Sequence, residues 1–430
     1  MSNLTWDYTI ASAAAGSDFY QLAEFADSER VRLHLGAALG MCNDSYLIDN
    51  VRYIAGRSLQ VIYRVAGESV VTVQFMQPGT SGSAFASALA AARRPGLVHH
   101  LAAWDAVAWV FPEDPGLPGI PDVLRQSAKL LAIDSAEMAG RVLSYLPGER
   151  CAVHCRPTAG GQGLVAKLRS SRGLEESHLL ACQLWGRPSR RFRMPEPIAA
   201  DEALGARWER FVPGQRLEAA LAHASAATLL GDVAAGLVEL HAIPLPGIPA
   251  QEPAQILRQI DKVLRRIGAT LPNLIAPAEA LARALAASSS NLPACQVATL
   301  HGDLHTANVI VDDRGPVLID LDSLVAGDPA FDLAMLGSRL VLSALNRGEP
   351  AAPSLRMAAS LPSWYTAAGG RPIDDYVYAW YVAALLLGRQ IKTCLRHSAP
   401  ITGRIAPQLL ALAHALLERG SVTSAHDVFS

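Results

Sequence analysis

Lysine is nearly absent from this chain, and several features that would indicate a particular class of protein are missing as well. Only four of the 37 basic residues are lysines, and the formal net charge is −2. No basic run interleaved with aromatic residues occurs, which argues against a nucleic-acid partner. The six cysteines have no metal-ligand spacing, and the expectation for them is reduced thiols without a zinc site.

Long apolar runs are also lacking. The N-terminus has no basic segment followed by an apolar core, so a secretory signal is not expected. The longest apolar stretch near the C-terminus, residues 377–387, is too short to span a bilayer. Half of the 430 residues are hydrophobic and 18% are charged. The sequence therefore predicts a cytoplasmic globular protein of two or three domains with no membrane partner.

The most informative segment is residues 301–311, which reads His-Gly-Asp-Leu-His-Thr-Ala-Asn-Val-Ile-Val. It contains Asp303 and Asn308, and Asp320 follows twelve residues after Asn308. Two apolar, β-branched runs flank Asp-Asp-Arg-Gly at residues 312–315, which is the composition of a hairpin turn. The predicted hairpin brings Asp320 back beside Asn308. A carboxylate that orients a hydroxyl group and oxygen ligands for Mg²⁺ are the parts that phosphoryl transfer requires.

This segment resembles the catalytic region of the aminoglycoside phosphotransferase and choline kinase group of small-molecule kinases. The matching residues are His301, Asp303, Asn308, Asp320 and the following Gly-Asp-Pro-Ala-Phe-Asp-Leu-Ala of residues 327–334. The resemblance implies Asp303 as the catalytic base, with Asn308 and Asp320 as magnesium ligands. It also implies that His301 orients the loop and that Asp328 and Asp332 are structural. For any single residue, a solvated turn is the alternative.

The region around Lys167 has the pattern of a kinase small lobe. Residues 150–156 and 164–168 are predicted strands joined by a Gly-rich turn, and a helix with acidic residues in its first turn follows. The same resemblance implies that Lys167 contacts the nucleotide phosphates and that Glu175 or Glu176 pairs with it. We expect the pair to involve Glu176. The alternative is that Glu176 only stabilises the N-terminus of the helix.

The resemblance implies further contacts with a nucleotide. The turn around Gly148 is the candidate for the loop over the phosphates. Glu209 and Phe211 lie in a short strand before a Pro-Gly break and are candidates for the hinge whose backbone binds adenine. An edge strand that ends in a turn fits the same residues. The implied cofactors are ATP or GTP together with Mg²⁺.

The predicted fold class is α+β, namely a bilobal protein-kinase-like fold with a small β-rich lobe and a large α-rich lobe, preceded by an extra α+β N-terminal domain. The predicted boundaries are residues 1–138 for the N-terminal extension packed on the small lobe, 139–212 for the small lobe, and 213–430 for the large lobe. The large lobe is predicted from helical apolar spacing between residues 219 and 287 and again after residue 374.

The N-terminal extension contains a hairpin that echoes the one around Lys167. Gly56, Val61 and Arg64 align without gaps on Gly148, Val153 and Arg156, and Gln74 stands near the place of Lys167 after a one-residue gap. A duplicated hairpin that lost its lysine and two generic hairpins both explain the similarity.

The acceptor is predicted to be a sugar or a sugar-like metabolite. After Leu340 there are eight Arg or Lys residues and five Asp or Glu residues, a balance that argues against a polycationic aminoglycoside. Six aromatic residues are candidates for stacking on a sugar: Trp364, Tyr365, Tyr376, Tyr378, Trp380 and Tyr381. The alternative is that these rings belong to the core. An aminoglycoside, choline in an aromatic cage, a peptide Ser or Thr hydroxyl, and an inactive binding module remain open.

Overall fold

The computed structural model describes residues 28–41, 45–54, 58–65, 69–170, 173–187, 189–395 and 399–426. The chain divides into two compact units. The first comprises Met1–Leu179 and Glu196–Phe211, and the second comprises Leu180–Pro195 and Val212–Ser430. The predicted boundary at residue 138 therefore lies inside the first unit, which contains both the N-terminal extension and most of the predicted small lobe.

The first unit contains two five-stranded sheets. The N-terminal sheet consists of β1 Tyr46–Ile54, β2 Ser58–Val65, β3 Val70–Phe75, β4 Val98–Leu101 and β5 Ala106–Val110, in the order β1-β2-β3-β5-β4. Helical residues Ser28–Val31, Arg32–Gly36 and Ala37–Leu39 precede it, and helix α1, Ser81–Ala91, connects β3 to β4. Val71, Val73 and Phe75 are fully buried, which is the alternation expected for a strand with one face on the core.

The second sheet follows helix α2, Val123–Leu131, and carries Lys167. It consists of β6 Met138–Leu146, β7 Arg150–Pro157, β8 Leu164–Arg169, β9 Pro197–Asp201 and β10 Ala206–Arg210, in the order β6-β7-β8-β10-β9. Helix α3, Leu174–Trp185, begins after β8. Cys151 and Cys155 are buried on one face of β7, where they pack in the core of this sheet.

The two sheets share their strand order and the register of their hairpins. Gln60 on β2 pairs with Gln74 on β3, and Ala152 on β7 pairs with Lys167 on β8. The ungapped alignment from the sequence places Gln60 on Ala152, so Gln74 occupies the position of Lys167. A shared order of five strands favours duplication over two generic hairpins. The aligned Gly56 lies outside the described residues.

A buried carboxylate ties the turn between β6 and β7 to the chain that follows β5. Asp114 accepts hydrogen bonds from Tyr145 Oη at 2.9 Å and from the Gly148 N–H at 2.8 Å. Burial raises the pKa of Asp114, although these hydrogen bonds act in the opposite direction. Glu149 in the same turn forms an ion pair with Arg52 of β1. The turn is thus held by residues of the N-terminal extension.

The second unit is mainly helical. Its helices are α4 Leu217–Ala220, α5 Ala226–His241, α6 Pro253–Thr270, α7 Ile275–Ser289, α8 Pro329–Arg347, α9 Ala351–Ala367, α10 Asp375–Leu385, α11 Ala399–Arg419 and α12 Val422–His426. A π-helical turn, Leu386–Ile391, continues α10 and leads into Lys392–Cys394. None of the helices in the described ranges is long and apolar enough to cross a membrane.

Six short strands accompany these helices. They are β11 Gln215–Arg216, β12 Ala250–Gln251, β13 Ala298–Leu300, β14 Val309–Asp312, β15 Gly315–Leu318 and β16 Val325–Gly327. They form two sheets, with the orders β11-β14-β15 and β12-β16-β13. These small sheets hold the segment that contains Asp303.

Both helical stripes predicted from the sequence lie in the core of the second unit. Leu229, Val233, Leu237 and Leu240 on α5, and Ile256, Ile260, Val263 and Ile267 on α6, are at most 9% exposed. Apolar residues that recur every three or four positions share one helix face, so the sequence pattern was sufficient to identify these faces.

Replacing Asp114 by alanine is expected to lower the free energy of unfolding by about 2 to 3 kcal/mol, because buried donors lose a charged acceptor. Thermal or urea denaturation would measure the loss. Asp49→Ala is the matched control, since Asp49 forms an exposed pair with Arg64 that contributes at most about 1 kcal/mol. Equal losses in the two variants would contradict the structural role of Asp114.

Candidate active site

The carboxylate of Asp332 holds the backbone of the loop that carries Asp303. It accepts hydrogen bonds from the N–H groups of His301 at 2.7 Å and Gly302 at 3.0 Å, and His241 Nε2 lies 3.1 Å from Oδ2. The Asp332 side chain is completely buried. Burial acts to raise the pKa of Asp332, but the hydrogen bond and the electrostatic attraction from His241 hold that pKa below its usual range. An ionised Asp332 therefore fixes the loop.

Glycine is required at position 302. Its backbone has φ +76°, and an added Cβ would lie 2.0 Å from the carbonyl oxygen of Ser323. The neighbouring His301 is buried, and its Nε2 donates a hydrogen bond to the carbonyl oxygen of Ile319 at 2.9 Å. Its Nδ1 then accepts the Asp303 N–H at 3.4 Å. These contacts are those that a loop-orienting residue would make.

The hairpin of β14 and β15 brings Asn308 and Asp320 to the same edge. The Ile319 N–H donates to the Asn308 carbonyl oxygen at 2.9 Å, and Asp320 follows with a left-handed φ of 62°. Asn308 is buried, and its Nδ2 donates to the Asp303 carbonyl oxygen at 3.0 Å. The amide oxygen of Asn308 therefore points away from that carbonyl. The turn composition in the sequence predicted this juxtaposition correctly.

Asn308 and Asp320 supply oxygen donors of the kind that Mg²⁺ prefers. No group of three or more His, Cys, Asp or Glu side chains is arranged to hold a metal ion within the described ranges. Magnesium commonly takes only one or two protein ligands and completes its shell with water and phosphate oxygens. The pair thus suits a magnesium ion that arrives with a nucleotide better than a permanently bound structural metal.

Lys167 in the first unit forms an ion pair with Glu209, a residue that the sequence indicated as part of the hinge. Its Nζ lies 2.9 Å from Glu209 Oε1, and the two side chains are 13% and 14% exposed. Glu209 lies on β10, which pairs with β8. The predicted partner, Glu176, is exposed on α3. The ion pair of Lys167 is therefore formed with Glu209 of the adjacent strand, in place of the predicted Glu176.

Two other residues predicted for nucleotide binding have contacts inside the first unit. Gly148 has φ +72°, as its turn requires, and its N–H donates to Asp114. The Phe211 ring stacks on His154 with a centroid distance of 3.7 Å and an interplanar angle of 10°. The Phe211 N–H donates to Gly163. The nucleotide contacts of Gly148 and Phe211 remain predictions.

Basic side chains that the sequence analysis did not single out surround Asp303. Arg389, in the π-helical turn, forms an ion pair with its carboxylate. Arg339 on α8 and His305 on the loop interact electrostatically with both Asp303 and Arg389. Burial lowers the pKa of His305 to about 4, so this ring is neutral at pH 7. The only sequence feature that could have indicated Arg389 is its position as a single arginine after an apolar helical run.

Most of the aromatic residues proposed for sugar stacking belong to the core. Tyr365, Tyr378, Trp380 and Tyr381 are at most 3% exposed. The Tyr378 hydroxyl donates to the Ala358 carbonyl oxygen at 2.7 Å, so its polar end is also used inside the protein. Trp364 and Tyr376 are half-buried. Core packing is therefore the correct interpretation for four of the six rings, and only the other two can reach a ligand.

Asp332→Asn is expected to remove about 3 kcal/mol of stability near pH 7, because the buried N–H donors of His301 and Gly302 lose a charged acceptor. The folded pKa of Asp332 lies below its unfolded value of about 3.9. Its contribution is thus present above about pH 4 and is lost as the pH falls through the folded pKa.

The measurement is thermal denaturation of the wild type and the variant from pH 7 to pH 3. The difference between them should shrink below about pH 4. Asp374→Asn, at the exposed N-terminus of α10, is the control. A difference that stays constant over this range would show that the Asp332 carboxylate is not ionised.

The region that contains these residues is similar to a known protein family. Residues 158–358 match the phosphotransferase enzyme family. The match includes Lys167, Asp303, Asn308 and Asp320, so the resemblance predicted from the motif is confirmed. No curated protein matches the chain.

Several solved structures are similar to this chain. A choline/ethanolamine kinase family protein from Mesorhizobium loti is 16% identical, with 72% of this chain and 99% of that chain covered and a TM-score of 0.48. The macrolide 2'-phosphotransferase MphH from Brachybacterium faecium is 22% identical, with 69% and 98% covered and a TM-score of 0.43. A thermostable mutant of an aminoglycoside phosphotransferase, in a ternary complex with ADP and hygromycin B, is 15% identical, with 69% and 98% covered and a TM-score of 0.49.

The β-rich first unit and the helical second unit agree with the α+β, protein-kinase-like fold predicted from the sequence. The family match covers the lysine strand, the Asp303 loop and the hairpin that carries Asp320. Residues 158–358, slightly less than half of the chain, match the phosphotransferase enzyme family, and this match supports the prediction of a phosphotransferase that acts on a hydroxyl group.

Proposed function

We propose that this protein transfers the γ-phosphoryl group of ATP to a hydroxyl group of a sugar or sugar-like metabolite. The observation that carries the proposal is the arrangement of Asp303, Asn308 and Asp320, which the buried Asp332 and the β14–β15 hairpin hold together. A base and two oxygen ligands on one rigid loop are the parts that a kinase needs. A cytoplasmic location belongs to the proposal, because ATP is available there.

In the proposed reaction, Asp303 orients the acceptor hydroxyl and receives its proton. The hydroxyl oxygen forms a bond to the γ-phosphorus, and the bond from that phosphorus to the bridging oxygen of ADP breaks. The Asp303 side chain is 24% exposed, so a ligand can reach it. Its backbone N–H and carbonyl oxygen are held by His301 and Asn308, which limits the positions that the carboxylate can take.

Asn308 and Asp320 are the proposed magnesium ligands, and Lys167 is the proposed contact for the phosphates. Magnesium bound with ATP would neutralise the charge that develops on the phosphoryl oxygens. The ion pair with Glu209 holds the Lys167 ammonium group in position. Backbone groups of Glu209 and Phe211 are the proposed adenine contacts, although the Phe211 N–H already donates to Gly163.

The charge around Asp303 argues against an aminoglycoside as the acceptor. Arg339 and Arg389 both lie near the proposed base, and a polycationic antibiotic would require carboxylates there. An inactive binding module is also disfavoured, because Lys167, the base and both oxygen ligands are all present. An acceptor without positive charge fits this site best.

Asp303→Ala should reduce turnover by about 10² to 10⁴-fold, the range for loss of a general base, while nucleotide binding stays unchanged. The assay is ADP release with ATP and Mg²⁺ over a panel of sugars, sugar acids, amino sugars, aminoglycosides and choline. Asp313→Ala is the matched control, since Asp313 is an exposed acid of the nearby hairpin turn. Nucleotide binding without turnover of any acceptor would instead indicate an inactive module.

Asp320→Asn should raise the Mg²⁺ concentration needed for half-maximal turnover by at least about tenfold, because the cation loses its only charged protein ligand in the proposal. The readout is a Mg²⁺ titration of turnover and of ATP binding. Asp313→Asn serves as the control. An unchanged Mg²⁺ requirement in Asp320→Asn would contradict the proposed ligand.

A further inference from the structure

We infer that the acceptor carries an anionic group, a carboxylate or a phosphate, close to the hydroxyl that is phosphorylated, and that Arg389 and Arg339 bind this group. The inference rests on the proposed function and narrows its substrate class from sugar-like metabolites to acidic ones.

Arg389 is placed to couple the binding of an anion to the availability of the base. Its guanidinium forms an ion pair with Asp303, and the two side chains are 36% and 24% exposed. The carboxylate oxygen that faces Arg389 is already engaged, and the guanidinium lowers its basicity toward the proton of an acceptor hydroxyl. An anion that binds Arg389 in place of Asp303 would release that oxygen when the acceptor arrives.

Arg339 on α8 is the second guanidinium of the site. Its Nε is fully buried without a hydrogen-bond partner, and we find no ion pair for this side chain in the parts of the chain that the structure describes. Burial lowers the pKa of Arg339, and Glu218 and Asp303 partly offset this effect. Glu218 is itself bonded to Ser343 and Arg347. Arg339 remains protonated as any arginine does, so its positive charge would attract an anionic ligand that binds beside Asp303.

A buried hydrogen bond holds the two arginines close together. Gln390 Nε2 donates to Ser338 Oγ at 3.0 Å, and each of these residues is adjacent in sequence to one of the arginines. Both are at most 2% exposed. Arg389 also lies in the π-helical turn Leu386–Ile391, and such turns occur frequently at functional sites. The backbone segments that carry the two arginines are thus joined by a buried hydrogen bond.

The balance of charge favours an anion over neutral or cationic groups. Among the described residues, the basic groups near Asp303 are the guanidinium groups of Arg389 from the π-helical turn and Arg339 from α8, together with the His305 ring on the loop. Two positive charges therefore face one carboxylate. A guanidinium binds carboxylate or phosphate oxygens through two parallel hydrogen bonds. A neutral sugar would add no negative charge beside the two guanidinium groups, and an amino sugar would be repelled.

The inferred step balances in atoms and charge. The anion takes the Arg389 guanidinium from Asp303, and the hydroxyl of the same molecule binds the released carboxylate. The hydroxyl oxygen then bonds to the γ-phosphorus as the bond to the bridging oxygen of ADP breaks, and the hydroxyl proton passes to Asp303 and from there to water. The products are ADP and the phosphorylated acid.

The first test compares acceptors of similar size that carry several hydroxyl groups and differ in charge. Glucose, glucosamine, gluconate and glucose 6-phosphate form one series, and glycerol and glycerate form a second. With ATP and Mg²⁺, the acid of a series should have a kcat/KM at least about tenfold above its neutral counterpart, in line with one buried charge interaction. The carboxylate and phosphate members show which anion is preferred. This comparison uses only the wild-type protein, so it does not depend on the folding of any variant.

The second test uses Arg389→Gln and Arg339→Gln. Each should raise the KM for the acidic acceptor by about 30-fold or more, as loss of one partner of a buried charge pair does, and change the KM for ATP by less than about threefold. Arg389→Lys should recover part of the loss. Arg283→Gln, an exposed arginine on α7, is the control and should change neither constant.

The outcomes separate this inference from the proposed function. Faster turnover of neutral or cationic acceptors than of acids would overturn the inference and leave the kinase assignment intact. A higher KM for ATP in Arg389→Gln, with acid acceptors unaffected, would show that the arginines serve the nucleotide and would also overturn it. ATP binding without phosphorylation of any acceptor would overturn both.

Discussion

The buried carboxylate of Asp332 is the interaction on which the candidate site depends. It accepts two backbone N–H groups of the loop that carries Asp303 and contacts His241, whose Nδ1 lies 2.9 Å from the Tyr365 hydroxyl. A buried charge is costly unless every partner is in place, so this network permits one stable arrangement of the loop. The position of Asp303 follows from that arrangement, and Asn308 is fixed in turn because its amide binds the Asp303 carbonyl.

The two sheets of the first unit share one strand order, but only the second sheet has the ion pair of Lys167 and Glu209. The position of Lys167 is taken by Gln74 in the N-terminal sheet, and the register places Trp109 where the second sheet has Glu209. Gln74 and Trp109 line a cavity of about 660 Å³ that also includes the turn at Gly148. The N-terminal copy therefore has no equivalent of Lys167, the proposed phosphate contact of the second copy. The N-terminal extension stabilises the turn between β6 and β7 of the second sheet, because Asp114 accepts the hydrogen bond of the Gly148 N–H.

Local patterns predicted the catalytic segment, the hairpin and the apolar faces of α5 and α6, because each depends on residues close together in sequence. The partner of Lys167 could not be predicted in this way, since Glu209 reaches it only through the pairing of β8 with β10. Arg389 was missed for a similar reason: its contact with Asp303 joins residues 86 positions apart. Composition also failed to separate Tyr378 in the core from rings that a ligand can reach, because aromatic residues serve both purposes.

The ion pair between Arg389 and Asp303 also bears on a problem that every kinase faces, which is transfer of the phosphoryl group to water. Water is uncharged and competes for a guanidinium less strongly than an anion does, so in the inferred mechanism an anionic acceptor frees the base more effectively than water does. The hydroxyl and the anion must belong to one molecule for both events to occur together, and this requirement gives selectivity without a lid that excludes solvent. The rigid Ser338–Gln390 contact suits that role, since a displaced Arg389 stays beside Arg339 and can bind the anion with it.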